Sequence, residues 1–193
     1  MTIGVLALQG DFSLHTKILD KLNIKNILVR KKEDFDNING LIIPGGESTV
    51  LSLLIKKFNL FDKIKKFSKN HCVYGTCAGA ILMSKKCDDN KINTLSLINI
   101  MSFRNFYGRQ IDSFTKNITI NFLKKKINVS FIRAPKFDCL SNDLDILGKV
   151  GDNPVLIKKE NMLVSSFHPE LSNSTEVHKY FINMVKNNVK SFK

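Results

Sequence analysis

Over its first 84 residues the chain alternates short apolar runs ending in glycine with stretches of helical periodicity. That alternation restricts the fold more than any other feature. TIGVLAL (2–8) has the composition of a buried strand and stops at Gln9-Gly10, and a helical pattern follows with His15, Ile18, Leu19 and Leu22 on one face. NILVR (26–30) is a second strand, and GLIIPGGEST (40–49) a third that stops at Pro44-Gly45-Gly46. Residues 50–69 are helical with a break near Asn59, and HCVYGTCAGAILMS (71–84) is a strand turning directly into a helix. A β-α-β-α-β order of this kind predicts an α/β domain of three layers, α/β/α, around a mostly parallel central sheet. The second half is richer in strands, expected at 95–103, 116–122, 127–132, 144–149, 154–158 and 162–167, some of them antiparallel. A last helix is expected to begin near Asn173, with Glu176 completing a capping box and Val177, Tyr180, Phe181, Met184 and Val185 forming its core stripe.

Length and composition bound what such a domain does. At 193 residues, 43% of them apolar, the chain reads as a single domain (1–193) with a sizeable core. No apolar run approaches the ~20 residues of a membrane span, and no secretion signal opens the chain. Cys72, Cys77, Cys87 and Cys139 lack metal-ligand spacing, so they are expected to be reduced thiols in the cytoplasm, with no metal site. The net charge of +13 ordinarily suggests nucleic acid. Here the lysines are scattered in short groups (31–32, 56–57, 65–66, 85–86, 124–126, 158–159), and 26 of the 30 basic residues are Lys. Compositional drift toward Lys and Asn accounts for this better than a binding face for nucleic acid. Where such a chain keeps arginine (30, 104, 109, 133), a bidentate fork is the expected reason.

The turn at 75–79, GTCAG, places a thiol between small residues at the strand-to-helix junction. It is the cysteine form of the G-x-S-x-G elbow, which lifts a nucleophile above the sheet and aims the next backbone N–H at a developing oxyanion. A base for Cys77 is available in SSFHPE (165–170), where His168 follows a strand and Glu170 stands two residues on, suited to fixing the imidazole tautomer. Pro44-Gly45-Gly46-Glu47-Ser48-Thr49 is a third component. Glycines after a buried strand admit close approach of a ligand, although a turn with Ser48 as helix N-cap is an equally structural explanation. The α/β order sets this turn beside the elbow at the carboxyl edge of the sheet, where the N–H groups of Gly46 and Ala78 are expected to form an oxyanion hole.

These blocks carry a resemblance. IGVLALQGDF (3–12), GLIIPGGEST (40–49), GTCAG (75–79), RNFYGRQ (104–110), FIRAP (131–135) and SFHPEL (166–171) together resemble the triad (class I) glutamine amidotransferases. Within that group they resemble the branch of glutaminase subunits of pyridoxal 5′-phosphate synthase. GTCAG and HPE mark the broad group, the other blocks the vitamin B6 branch. The resemblance implies Cys77 as nucleophile, His168 as general base and acid, and Glu170 as its orienter. It implies contacts to L-glutamine from Gly46, Glu47, Ser48, Arg104, Ile132 and Arg133, and places Gln9 and Gly10 near the oxyanion turn and the face meeting a partner. It further implies a hetero-oligomeric complex with a synthase subunit that takes up the ammonia, and no cofactor on this chain. Two segments depart from the family pattern: Phe106-Tyr107 stands where Ser-Phe is more common, and Ser96-Leu97-Ile98-Asn99-Ile100 where Gly-Leu-Leu-Asp-Ile is usual. His15 follows GDF as it often does in the family, while an exposed helix histidine fits the sequence equally.

Two other readings compete. The glutaminase of another pathway, such as histidine biosynthesis, lacks the RN-x-x-GRQ and IRAP blocks. A silent regulatory or basic nucleic-acid-binding protein has no need of Cys77, His168 and Glu170 together, nor scattered lysines in place of a basic tract.

Overall fold

The computed structural model describes residues 1–107, 113–123, 126–172 and 174–191. Arg109 with the rest of the GRQ motif, the lysines at 124–125 and the expected helix cap at Asn173 lie outside the described residues. The first half follows the alternation in the sequence: β1 (Ile3–Leu6), α1 (Phe12–Lys21), β2 (Asn26–Val29), β3 (Gly40–Ile43), α2 (Ser48–Lys57), α3 (Phe61–Ser68), β4 (Cys72–Thr76) and α4 (Ala78–Met83). The break expected near Asn59 separates α2 from α3, and Asn59 itself takes a left-handed conformation with φ 54°. Asn tolerates this region better than most residues, so the chain turns there without a glycine.

The second half comprises β5 (Ser84–Cys87), β6 (Ile98–Phe103), β7 (Phe114–Ile118), β8 (Ile127–Phe131), β9 (Lys136–Cys139), β10 (Asp145–Val150), β11 (Asn153–Lys159), β12 (Met162–Ser165) and α5 (Glu176–Ser191). Strand character in the 95–103 segment is confined to β6. The segment expected at 116–122 starts earlier and ends at Ile118, leaving Ile120 in an isolated bridge to Gly148. Neither β5 nor β9 was expected. Their sequences, SKKC and KFDC, lack the apolar alternation that marks a strand, and pairing to β6 on both sides holds them.

A seven-stranded sheet runs β10-β11-β12-β4-β3-β1-β2, parallel from β12 through β2 and antiparallel at the β10-β11-β12 end. Every residue of β1, β3, β4 and β12 is buried, as expected of parallel strands covered on both faces. Alternate residues feed two cores. Leu41, Ile43 and Val73 pack with Leu51, Ile55 and Ile64 of α2 and α3, while Ile42, Tyr74 and Leu163 pack with Leu19 of α1 and Phe181 and Val185 of α5. The result is the expected three-layer arrangement around a mostly parallel sheet. Because β1, β3, β4 and β12 are adjacent and parallel, the segments leaving their carboxyl ends converge. Those segments are Gln9-Gly10, Pro44 to Ser48, Cys77 and His168, and the order of the strands brings them together. Among the described residues no helix is long and apolar enough to cross a membrane.

Candidate active site

Cys77 sits between β4 and α4 at φ 45° and ψ −104°, a strained conformation for a residue with a side chain. Its N–H donates to Ser165 O at 2.8 Å, and its carbonyl accepts from Ile81 N–H at 3.0 Å, so β12 and the first turn of α4 fix the turn from both sides. The glycine two residues on is required by close approach: a Cβ at Gly79 would stand 2.0 Å from Ile43 O. The thiol lies 3.8 Å from Ile132 O.

His168 leaves the end of β12 with its N–H bonded to Ser130 O at 2.9 Å. Its Nδ1 lies 2.7 Å from Glu170 Oε1, and both residues are buried. The ring packs on bare main chain, since a Cβ at Gly45 would fall 2.4 Å from His168 Cε1. Burial pushes the His168 pKa down, but hydrogen bonds to Cys77 and Glu170 and the charges of both outweigh it, holding the imidazolium well above its ordinary range. Burial raises the Glu170 carboxyl, yet His15 and His168 beside it bring it to about 2. The pair is therefore a buried carboxylate held against a histidine that favours the protonated form. Asp11, Oδ2 3.9 Å from His168 Nδ1, was not singled out in the sequence. Asp11, His168 and Glu170 together offer a possible metal-ligand set, but the Nδ1–Oε1 bond already engages two of its members.

A small cleft of about 170 Å³ opens over the thiol, lined by Asp11, Gly46, Glu47, Ser48, Cys77, Ile81, Arg104, Asn105, Ile132, Arg133 and His168. Every residue expected at the glutamine pocket is on its wall. The N-cap of α2 is Glu47, not Ser48: its carboxylate accepts from Thr49 N–H at 3.2 Å and Val50 N–H at 2.7 Å, while Ser48 is the first helical residue. A carboxylate satisfies two free N–H groups at the positive end of the helix better than a hydroxyl satisfies one. Burial pushes the Glu47 carboxyl up, and the two backbone bonds and Arg104 bring it below its ordinary value. Arg104 donates to Glu47 at 2.9 Å, to Thr49 Oγ1 at 3.2 Å and to Asp89, and its own N–H meets Asp88. Asp88 and Asp89 sit in a polar loop after β5 with no motif around them, so the sequence carries no local signal for their role. Gln9 Oε1 accepts from Glu47 N–H at 3.1 Å, and Asp11 N–H donates to Gly45 O at 3.1 Å, tying the β1 turn to the glycine turn. A trans peptide then sets the Gly46 N–H on the side away from Asp11.

Beneath this layer lie two histidines. His15, which the sequence left open, is buried, with Nε2 3.5 Å from Glu170 Oε2 and Nδ1 2.9 Å from His178 Nε2. His178 was missed although its spacing exposes it: three, four and seven residues before Phe181, Ile182 and Val185, it falls on the buried face of α5. Burial lowers the pKa of both, His178 to about 3 with His15 adding to the effect. His178, neutral in the fold, takes up a proton near pH 6.5 on unfolding, and the lowering of His15 acts in the same direction. Below that pH the unfolded chain binds more protons, so stability falls as pH falls, by about 1.4 kcal/mol per pH unit from His178 until its folded value is reached. The raised His168 acts in the opposite direction and only above pH 6.5, and Glu170 contributes only below its unfolded value of 4.5. Urea midpoints measured from pH 7 to 5 are therefore expected to drop, and His178→Phe to flatten the slope. An unaltered slope in that variant contradicts the assignment of His178 as a neutral buried base.

The fold is that of the glutamine amidotransferases. A crystal structure described as that of a glutamine amidotransferase superposes with a TM-score of 0.90 at 37% identity, covering 95% of this chain and 98% of that one. The chain belongs to the SNO glutamine amidotransferase family, whose model matches residues 5–187. It is 46% identical over 187 residues to the pyridoxal 5′-phosphate synthase subunit PdxT of Thermosipho africanus, covering 96% of this chain and 100% of that one. To the subunit of the same name from Francisella philomiragia it is 48% identical over 184 residues, covering 95% and 99%.

Proposed function

We propose that this chain is the glutaminase subunit of a pyridoxal 5′-phosphate synthase, hydrolysing L-glutamine to L-glutamate and ammonia in the cytoplasm, with no cofactor of its own. The observation that carries this reading is the meeting of Cys77 with the His168–Glu170 pair, whose Nδ1–Oε1 contact is 2.7 Å, at one sheet edge. The cysteine thiolate attacks the side-chain amide carbon, and the oxyanion is held by the N–H groups of Gly46 and Ala78. Ammonia leaves with a proton from His168. A water, deprotonated by the same imidazole, then cleaves the γ-glutamyl thioester and returns the thiol. Glu47 offers its carboxylate to the substrate amine, with Arg104 and Arg133 on the same wall for its carboxylate. Gly46, Ser48 and Ile132 complete the contacts. Asp89 and Glu47 hold Arg104 as a rigid part of that wall.

Ammonia passes to the synthase subunit, which builds pyridoxal 5′-phosphate from a pentose phosphate and a triose phosphate. Gln9 and Gly10 face that partner and touch the glycine turn, so docking is coupled to the oxyanion site. Rotating the Gly45–Gly46 peptide exchanges a carbonyl for an N–H at one spot, at the cost of the Asp11–Gly45 bond. The expected outcome is slow glutamate release by the isolated chain and roughly 10-fold or faster release in complex with its synthase subunit, at saturating glutamine. Equal rates, with complex formation verified separately, rule out this gating. No glutamate release in either assay rules out the glutaminase reading.

A further inference from the structure

We propose that His15 of α1 and His178 of α5 form a buried relay that positions Glu170, and through it the His168 imidazole. The inference rests on the glutaminase reading for its consequence but on geometry for its existence. Both rings are 0% exposed, although neither is required to fill the glutamine cleft. Burying two imidazoles where apolar side chains would pack is unfavourable unless their polar atoms are used. His15 occupies the junction: its Nε2 lies 3.5 Å from Glu170 Oε2 and 3.4 Å from Thr76 Oγ1, the residue before Cys77, and its Nδ1 is 2.9 Å from His178 Nε2.

One proton lies between the two rings, and the surroundings decide which ring owns it. If His15 Nδ1 carried it, His15 Nε2 would present a lone pair to the carboxylate, and His178 Nδ1 would hold an N–H. Among the described residues that buried atom has no hydrogen-bond partner, and an unpaired acceptor there is better tolerated than a stranded N–H donor. The opposite assignment strands no donor, and leaves the His178 Nδ1 lone pair as the unpaired atom. His178 Nε2–H donates to His15 Nδ1, His15 Nε2–H lies between Thr76 Oγ1 at 3.4 Å and Glu170 Oε2 at 3.5 Å, and Glu170 Oε1 accepts from His168 Nδ1–H. Among the described residues Glu170 Oε2 has no formed hydrogen bond, and His15 Nε2 at 3.5 Å stands beside it to fix the carboxylate's rotation. Burial keeps both rings neutral against the attraction of Glu170, so the relay orients without adding charge. His15 and His178 are positioning residues: they touch neither substrate nor reacting atoms.

The test combines kinetics with a spectroscopic readout. In complex with the synthase subunit, His15→Phe is expected to lower kcat roughly 10- to 100-fold with KM for glutamine little changed, the scale usual for loss of an outer supporting partner. His15→Gln, which keeps a donor at the reach of Nε2, is expected to restore most of that loss. In ¹⁵N-histidine-labelled wild-type protein, both His15 and His178 are expected to be neutral Nε2–H tautomers. An unchanged kcat in folded His15→Phe, or equal impairment of the Phe and Gln variants, overturns the relay. So does an Nδ1–H tautomer at His178, which needs no variant to fold and no activity to be present. Failure of the wild-type complex to hydrolyse glutamine would instead strike the glutaminase reading, leaving the tautomers to decide the relay.

Discussion

Cys77→Ala, assayed in complex with the synthase subunit, is expected to lose glutamine hydrolysis by about 10³-fold or more while melting like the parent chain. The loss follows from removing the atom that forms the thioester, since Cys77 is the one thiol among the described residues that line the cleft. The fold survives because alanine is smaller than cysteine and the main-chain bonds of the elbow, Cys77 N–H to Ser165 and Ile81 N–H to Cys77, do not involve the side chain. Stability is expected to change by no more than about 1 kcal/mol. Cys77→Ser is expected to be inactive as well, since a hydroxyl in the same place is far less acidic than a thiol. The other three thiols are dispensable for the chemistry. Burial pushes Cys72 up to about 11, and Cys87 and Cys139 are also raised, first by desolvation and with neighbouring aspartates adding to it. Substantial glutamate release by Cys77→Ala would remove the thiol mechanism altogether.

His168→Ala is expected to approach the cysteine variant in severity, at about 10³-fold or more, whereas Glu170→Gln is expected to retain more of the rate. His168 carries a proton in both halves of the reaction, off the thiol and onto ammonia. Glu170 only orients it, through the 2.7 Å contact to Nδ1, and supports its charge. A glutamine at 170 keeps the volume and one polar contact while losing the charge, which leaves an imidazole that is less basic and poorly oriented. The two variants measured side by side with the same partner give the ranking. A harmless His168→Ala contradicts the triad, and a Glu170→Gln more damaging than His168→Ala contradicts the division of roles.

How much of this was legible in the sequence differs between the halves of the chain. The first half announces itself because a parallel sheet covered on both faces demands fully apolar strands, and TIGVLAL, GLII and HCVYGT are of that kind. The glycines that punctuate them are there for packing reasons that survive in the structure, as at Gly79 against Ile43 O. Strands β5 and β9 were illegible because their polarity is set by one solvent-facing side and their existence by long-range pairing to β6. At the site, residues that belong to a compact motif were found, and residues brought in from distant elements by tertiary packing were not. His178 stands eight residues beyond Glu170 in the chain, and Asp89 fifteen before Arg104, so no local pattern joins them. His178 nonetheless had a signal in the 3.6-residue period of α5. Asp11 lies inside the IGVLALQGDF block, but nothing local in that block distinguishes its carboxylate from a helix-start residue.

The central claim is that Cys77 forms a covalent bond to the glutamine side-chain carbon at the cleft it shares with His168. It is tested most directly by exposing the complex to a glutamine-mimicking electrophile and mapping the adduct by peptide mass. One adduct per chain on Cys77, slowed by added L-glutamine, is the predicted result. Preferential modification of Cys72, Cys87 or Cys139, or labelling of Cys77 that L-glutamine does not slow, would contradict it.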